Sequence, residues 1–156
     1  MADSILSGYK AAAQSVTFSG TQTMASLADN EWTDLSDEID NSSNKYMLCD
    51  IEVFLGSFTA GTTGDEAIEI YIVPSVDGTN YPDWTGNSTS DAQENNNHFV
   101  GSVPIKQSGA ATKRAALRNV SLPNGTFKFG LRNRCNAALA ASGSTLKYRP
   151  HQYSST

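Results

Sequence analysis

Three isoleucines separated by single residues, Ile68, Ile70 and Ile72, alternate with Glu69 and Tyr71. This period of two constrains the chain more than any other feature. Successive side chains of a strand point to opposite faces, whereas a helix repeats every ~3.6 residues, so the segment is a strand with one face on a core. It stops at Pro74, which cannot donate to a ladder. The same alternation starts at Tyr46: Met47, Cys49, Ile51, Val53 and Leu55 take one side, and Leu48, Asp50, Glu52 and Phe54 the other. Farther on, Phe99, Gly101, Val103 and Ile105 share a side, and residues 115–121 read as another strand. Phe127, Phe129 and Leu131 alternate with Lys128, Gly130 and Arg132, and residues 144–153 close the chain as a strand. Weaker strands fit residues 15–19 and 31–39.

Turn residues punctuate these runs. Leu122-Pro123-Asn124-Gly125 is the strongest turn signal, and residues 57–65 read as a loop. A long irregular stretch, residues 75–97, holds Asp77-Gly78 and then Tyr81-Pro82-Asp83-Trp84. Its two aromatics either pack over one end of the fold or stand exposed as a contact site. About eight short strands of this kind predict an all-β antiparallel sandwich of jelly-roll type. Residues 15–156 form its single domain, preceded by an N-terminal arm, residues 1–14, that is extended or partly helical. Ile5, Leu6, Tyr9 and Lys10 are the arm's candidate partner-binding residues; the arm is either a frayed end or a segment that orders against a neighbour.

Composition agrees. Charged residues are 17% of the chain, and their place is taken by 19 Ser, 14 Thr, 12 Asn and 12 Gly. Ser, Thr and Asn compete for backbone hydrogen bonds and Gly costs entropy, so long helices and coiled coils are disfavoured. No apolar run reaches the roughly 18 residues of a membrane span. At 156 residues a core can form without metal or disulfide. The two cysteines, Cys49 and Cys135, make no disulfide framework, and Cys49 falls on an inward face as a buried thiol. Residues 1–8 lack a basic region followed by an apolar stretch, so no signal peptide is expected.

Net charge is −5, which argues against general binding to nucleic acid or anionic membrane. The charge is lopsided. Up to Gly78 there are 13 acids and 2 bases; from Thr79 onward there are 3 acids and 9 bases. Either the halves neutralise each other within one sandwich, or oppositely charged faces meet between subunits. Lys113, Arg114 and Arg118, with Lys128, Arg132 and Arg134, can form a basic face for an acidic partner.

Groups suited to catalysis are sparse. His98 and His151 lack metal-ligand spacing, and neither a G-x-S-x-G elbow nor a phosphate-binding glycine loop occurs. Glu31, Asp34, Asp37, Glu38 and Asp40 crowd one segment, but they read as a solvated acidic edge rather than a glycosidase pair or calcium loop. Asp77-Gly78-Thr79-Asn80 reads as a hydrogen-bonded Asx turn. No enzyme, metal or cofactor is expected from these patterns.

Several stretches together carry a resemblance. They are Ile39-Asp40-Asn41-Ser42-Ser43 before the first long strand, Ser75-Val76-Asp77-Gly78-Thr79-Asn80-Tyr81 after the second, and Phe99-Val100-Gly101-Ser102-Val103-Pro104. Leu122-Pro123, Gly130-Leu131-Arg132-Asn133 and Ala138-Leu139-Ala140-Ala141-Ser142-Gly143 complete the series. In this order, from about Ser26 to the C-terminus, the chain resembles small virion proteins of tailed bacteriophages that act as capsid cement or decoration proteins. Where such families place a Trp-containing strand after Leu-Pro, this chain has Asn124-Gly125-Thr126-Phe127. The resemblance implies a homotrimer made in the host cytoplasm that binds the major capsid protein on the outside of the virion. The alternative is a carbohydrate- or receptor-binding module on the virion surface, using Tyr81 and Trp84 as stacking platforms.

Overall fold

The computed structural model describes residues 5–86, 93–106 and 109–155. The chain is an all-β sandwich of two antiparallel sheets. In the first sheet β9 (Thr145–Ser155) is flanked by β4 (Leu48–Phe58), which is flanked in turn by β7 (Ala111–Ser121). The other edge of β9 is shared by two short strands, β1 (Ile5–Tyr9) and β2 (Gln14–Val16). In the second sheet β8 (Thr126–Arg134) lies between β3 (Ile39–Asp40) and β5 (Ala67–Pro74), and β6 (Phe99–Pro104) pairs with β5. One helical turn, α1 (Gln93–Asn96), precedes β6. Among the described residues, no helix is long and apolar enough to cross a membrane.

The alternating residues form the core. Cys49, Ile51, Val53 and Leu55 of β4, with Leu146 and Tyr148 of β9, meet Ile68, Ile70 and Ile72 of β5 and Phe127, Phe129 and Leu131 of β8. The Tyr148 ring spans the sheets, 6.3 Å from Phe127 and 5.7 Å from Phe129 between centroids. Each fully buried side chain of this size is worth about 1.5–3 kcal/mol, so the sandwich is held by packing. Both cysteines are free and buried, and burial pushes each thiol up to about 12.

A second, smaller core lies on the outer face of the β8–β5 sheet. Tyr71 points away from the isoleucines, yet it is buried against Trp32 and Trp84. Trp84 fits there because residue 130 is glycine: a Cβ at that position would sit 2.2 Å from the indole. The Trp84 indole N–H donates to the Thr33 carbonyl at 2.8 Å. The aromatic loop therefore covers a sheet face, not an end of the sandwich. Asn95 pins the loop by bonding both the N–H and the carbonyl of Thr85.

Of the motifs behind the resemblance, Phe99–Pro104 is β6 and Gly130–Asn133 lies within β8, while others form turns. Asn41 donates to the carbonyls of Tyr46 and Pro123 and accepts from the Tyr46 N–H, tying the β3–β4 turn to the Leu122–Gly125 turn. Asn133 donates to Leu27, Ala28 and Ala137 carbonyls and accepts from the Cys135 N–H. Asp77 accepts from the N–H groups of Thr79 and Asn80, the expected Asx turn, and these bonds hold its carboxyl well below the usual range.

Of the two forms expected for the arm, residues 5–9 take the extended one, because β9 offers them an antiparallel ladder from Ile5↔Ser155 to Tyr9↔His151. Two expectations change. The strand expected over residues 31–39 shrinks to β3 and a bridge between Trp32 and Arg132. Between them the Thr33 and Ser36 hydroxyls accept from the N–H groups of Leu131 and Phe129, so side chains replace backbone carbonyls in the ladder. The single basic face is also dispersed. Lys113 is buried, its ammonium donating to the carbonyls of Phe58 and Ala111. Arg132 is buried over the Trp32 ring on the second sheet, while Arg114 is exposed on the first.

Candidate docking surface

Connections bring the starts of β4, β6 and β8 and the ends of β5 and β7 to one end of the sandwich, since residues 122–125 join β7 to β8 and residues 41–47 join β3 to β4. The large apolar side chains left in solvent gather at or beside this end: Val76 is 96% exposed, Met47 58%, and Phe99 and Tyr9 50% each. Leu122 donates its N–H to the Met47 carbonyl. A cleft of about 390 Å³ runs between Phe99 and the Leu122-Pro123 turn, floored by Ile72 and Pro74. Scattered exposed apolar residues are ordinary; several at one end of a rigid body mark a contact surface.

The register adds a projection. Leu48, the first residue of β4, lies opposite His151. Residues 152–155 of β9 therefore pair with β1 alone, and the two strands run on past the sheet as a ribbon. At ~3.3 Å per residue the ribbon reaches roughly 13 Å.

A polar cluster sits at its root. A register shift between Cys49 and Ile51 places both Arg118 and Asn119 beside Asp50, with Asn119 in the left-handed region at φ 57°. Asp50 accepts from the Tyr9 hydroxyl at 2.7 Å and the Asn119 N–H at 3.0 Å. His151 Nε2 lies 3.5 Å from its carboxylate, and the Tyr9 ring stands edge-on to the imidazole. Burial pushes the Asp50 carboxyl up, but the bonds from Tyr9 and Asn119 and the charges of His151 and Arg118 outweigh it and hold it below the usual range. The hydrogen bond to Asp50 raises the Tyr9 hydroxyl.

Of the arm residues singled out in the sequence, Tyr9 enters this cluster. Lys10 is exposed beside it, its N–H donating to the Pro150 carbonyl. The backbones of Ile5 and Leu6 pair with Ser155 and Ser154, and their side chains lie outside the described residues. Tyr81 and Trp84 belong elsewhere, on the second sheet. Tyr81 is half-buried, its hydroxyl donating to Glu38 and its ring under the Lys128 ammonium. The Trp84 ring stands edge-on to both Trp32 and Tyr71. Arg118, expected in a basic face with Lys113 and Arg114, and His151, considered only as a metal ligand, meet here instead. Nothing in the sequence singled out Asp50, Met47, Val76 or Phe99 as contact residues. Part of the signal was present: Lys147, Arg149 and His151 at spacing two share one strand face with Tyr9 and Asp50. Among the described residues, no group of three or more His, Cys, Asp or Glu side chains could hold a metal ion. No protein-family model matches the chain, and no curated protein is significantly similar to it.

Proposed function

We propose that this chain is a structural virion protein that docks on the outside of a tailed-phage capsid and stabilises the closed shell. The observation that carries the reading is the coincidence, at one end of a rigid sandwich, of exposed Met47, Val76 and Phe99 with the projecting β1–β9 ribbon. A protein bound across neighbouring shell subunits favours the assembled state by mass action and needs no chemistry of its own. Strand order supports the finer architecture: β1/β2-β9-β4-β7 facing β3-β8-β5-β6 is the order we assign to a jelly roll, in which strands distant in sequence pair and short links join opposite sheets.

The carbohydrate-binding alternative draws less support. A sugar platform needs an aromatic face turned to solvent with free polar neighbours, whereas Trp84 is packed over Gly130 with its N–H already bonded. Cosedimentation of the purified chain with phage heads stripped of decoration proteins tests the docking reading. Saturable binding to intact shells is the expected result, and a chain that stays in the supernatant would exclude it.

A further inference from the structure

Three cations on the outer face of the first sheet, Arg118, Lys147 and Arg149, form no ion pair among the described residues, although the Arg118 charge acts on Asp50. Asp50 is committed to Tyr9 and Asn119, and Glu52 to Arg114 at 3.1 Å. Arg118 and Lys147 make no hydrogen bond or ion pair among the described residues. Arg149 is fixed by its Nε donating to the Ala11 carbonyl and by the Tyr9 ring, 3.8 Å from its guanidinium carbon, and it makes no ion pair among the described residues. Two adjoining hollows of about 240 and 270 Å³ share Tyr9, Asp50 and Arg118 as lining, and Glu52, Lys147 and Arg149 line the larger, so three cations and two carboxylates border this groove. Buried beside it, His151 has neither ring nitrogen hydrogen-bonded.

The complementary charge is on the same chain. Asp37 and Glu38 stand exposed just before β3, the edge strand of the second sheet, and Asp40 within it; Glu38 accepts from the Tyr81 hydroxyl and Asp40 from the Ser42 N–H. Asp37 has no side-chain partner among the described residues. Groove and acidic edge lie on different sheets, and no ion pair joins them among the described residues. A second copy brings them together.

We propose that copies of this chain associate head to tail, the acids at 37–40 of one copy entering the groove of Arg118, Lys147 and Arg149 on the next. Such a contact uses two different surfaces, so it closes into a ring when the rotation between copies allows. Exposed opposite charges set register and weaken in salt. The inference deepens the docking reading, on which it rests for the expectation of a homo-oligomer, and its test uses this chain alone.

The test is sedimentation velocity of the wild type and two charge-reversed variants, R118E/K147E and D37K/E38K, with circular dichroism as a check on folding. The wild type is expected to be oligomeric in about 20 mM salt and to dissociate in about 500 mM. Each variant alone is expected to associate at least about tenfold more weakly. Mixed one to one, the variants present matched charges again and are expected to reassociate into even-numbered complexes. A wild type that stays monomeric at about 100 µM in low salt overturns the proposal. So does salt-independent association, wild-type association by either variant, or a mixture that stays dissociated. A monomer that still binds phage heads would remove this inference and leave docking in place; an oligomer that ignores them would do the reverse.

Discussion

Gly130 and Asp50 show how much single residues decide here. The Trp84 indole occupies the space a Cβ at 130 would need, so Gly130→Ala must displace the ring or bend β8. We expect a loss of about 1–3 kcal/mol, read by denaturant unfolding, with a changed tryptophan emission because Trp84 leaves Trp32 and Tyr71. Asp50 makes a pH prediction. Its folded carboxyl is held below the ordinary range, so the stability it contributes is present above the unfolded carboxylate pKa and is lost as pH falls through the lower folded value. Asp50→Asn should therefore be less stable than wild type at neutral pH, with the difference shrinking in acid. A difference that stays constant from neutral to acid pH would show that the carboxylate charge is not what stabilises the root of the ribbon. Gly130 stands in the alternating run as an unremarkable outward position; its need for hydrogen appears only when a loop some forty-five residues earlier is laid over it.

At the scale of elements, strands with a one-sided apolar pattern were legible because burial enforces the period of two. β4, β5 and β8 are the clearest, and each supplies at least three core side chains. β1 was not legible as a strand, since its partner lies almost 150 residues away and its apolar residues, Ile5, Leu6 and Tyr9, do not alternate with polar ones. β3 was overestimated because Thr33 and Ser36 take the place of backbone acceptors. Gly8 and Tyr9 of β1 are exposed, and the strand's ladder is with the end of β9. Deleting residues 1–13 should accordingly leave a cooperatively folded sandwich, seen as a retained β-type circular dichroism spectrum and a single thermal transition. Shell binding and self-association should both fall, since the deletion removes the ribbon and the Tyr9 wall of the groove. Unchanged shell occupancy would remove the ribbon from the docking surface.

On the scale of the whole molecule, the two halves of the sequence are interleaved rather than set apart. Arg114–Glu52, Arg132–Glu69, Arg134–Glu69 and His151–Asp50 each join an acid from before Gly78 to a base from after it. Part of the lopsided charge is thus matched within the fold. The docking end was hidden from the sequence for a different reason. Met47, Val76 and Phe99 lie at the margins of three different segments, and only the closing turns bring them together.

The docking claim is tested most directly by cosedimentation with stripped phage heads, comparing wild type with the double variant Val76→Asp, Phe99→Asp. Both side chains are exposed, so the substitutions should change stability by no more than about 1 kcal/mol. The account predicts saturable binding of the wild type and at least about tenfold weaker binding of the folded variant. Equal binding by both proteins would contradict the assignment of this end as the docking surface, and failure of the wild type to bind any shell would contradict the function itself.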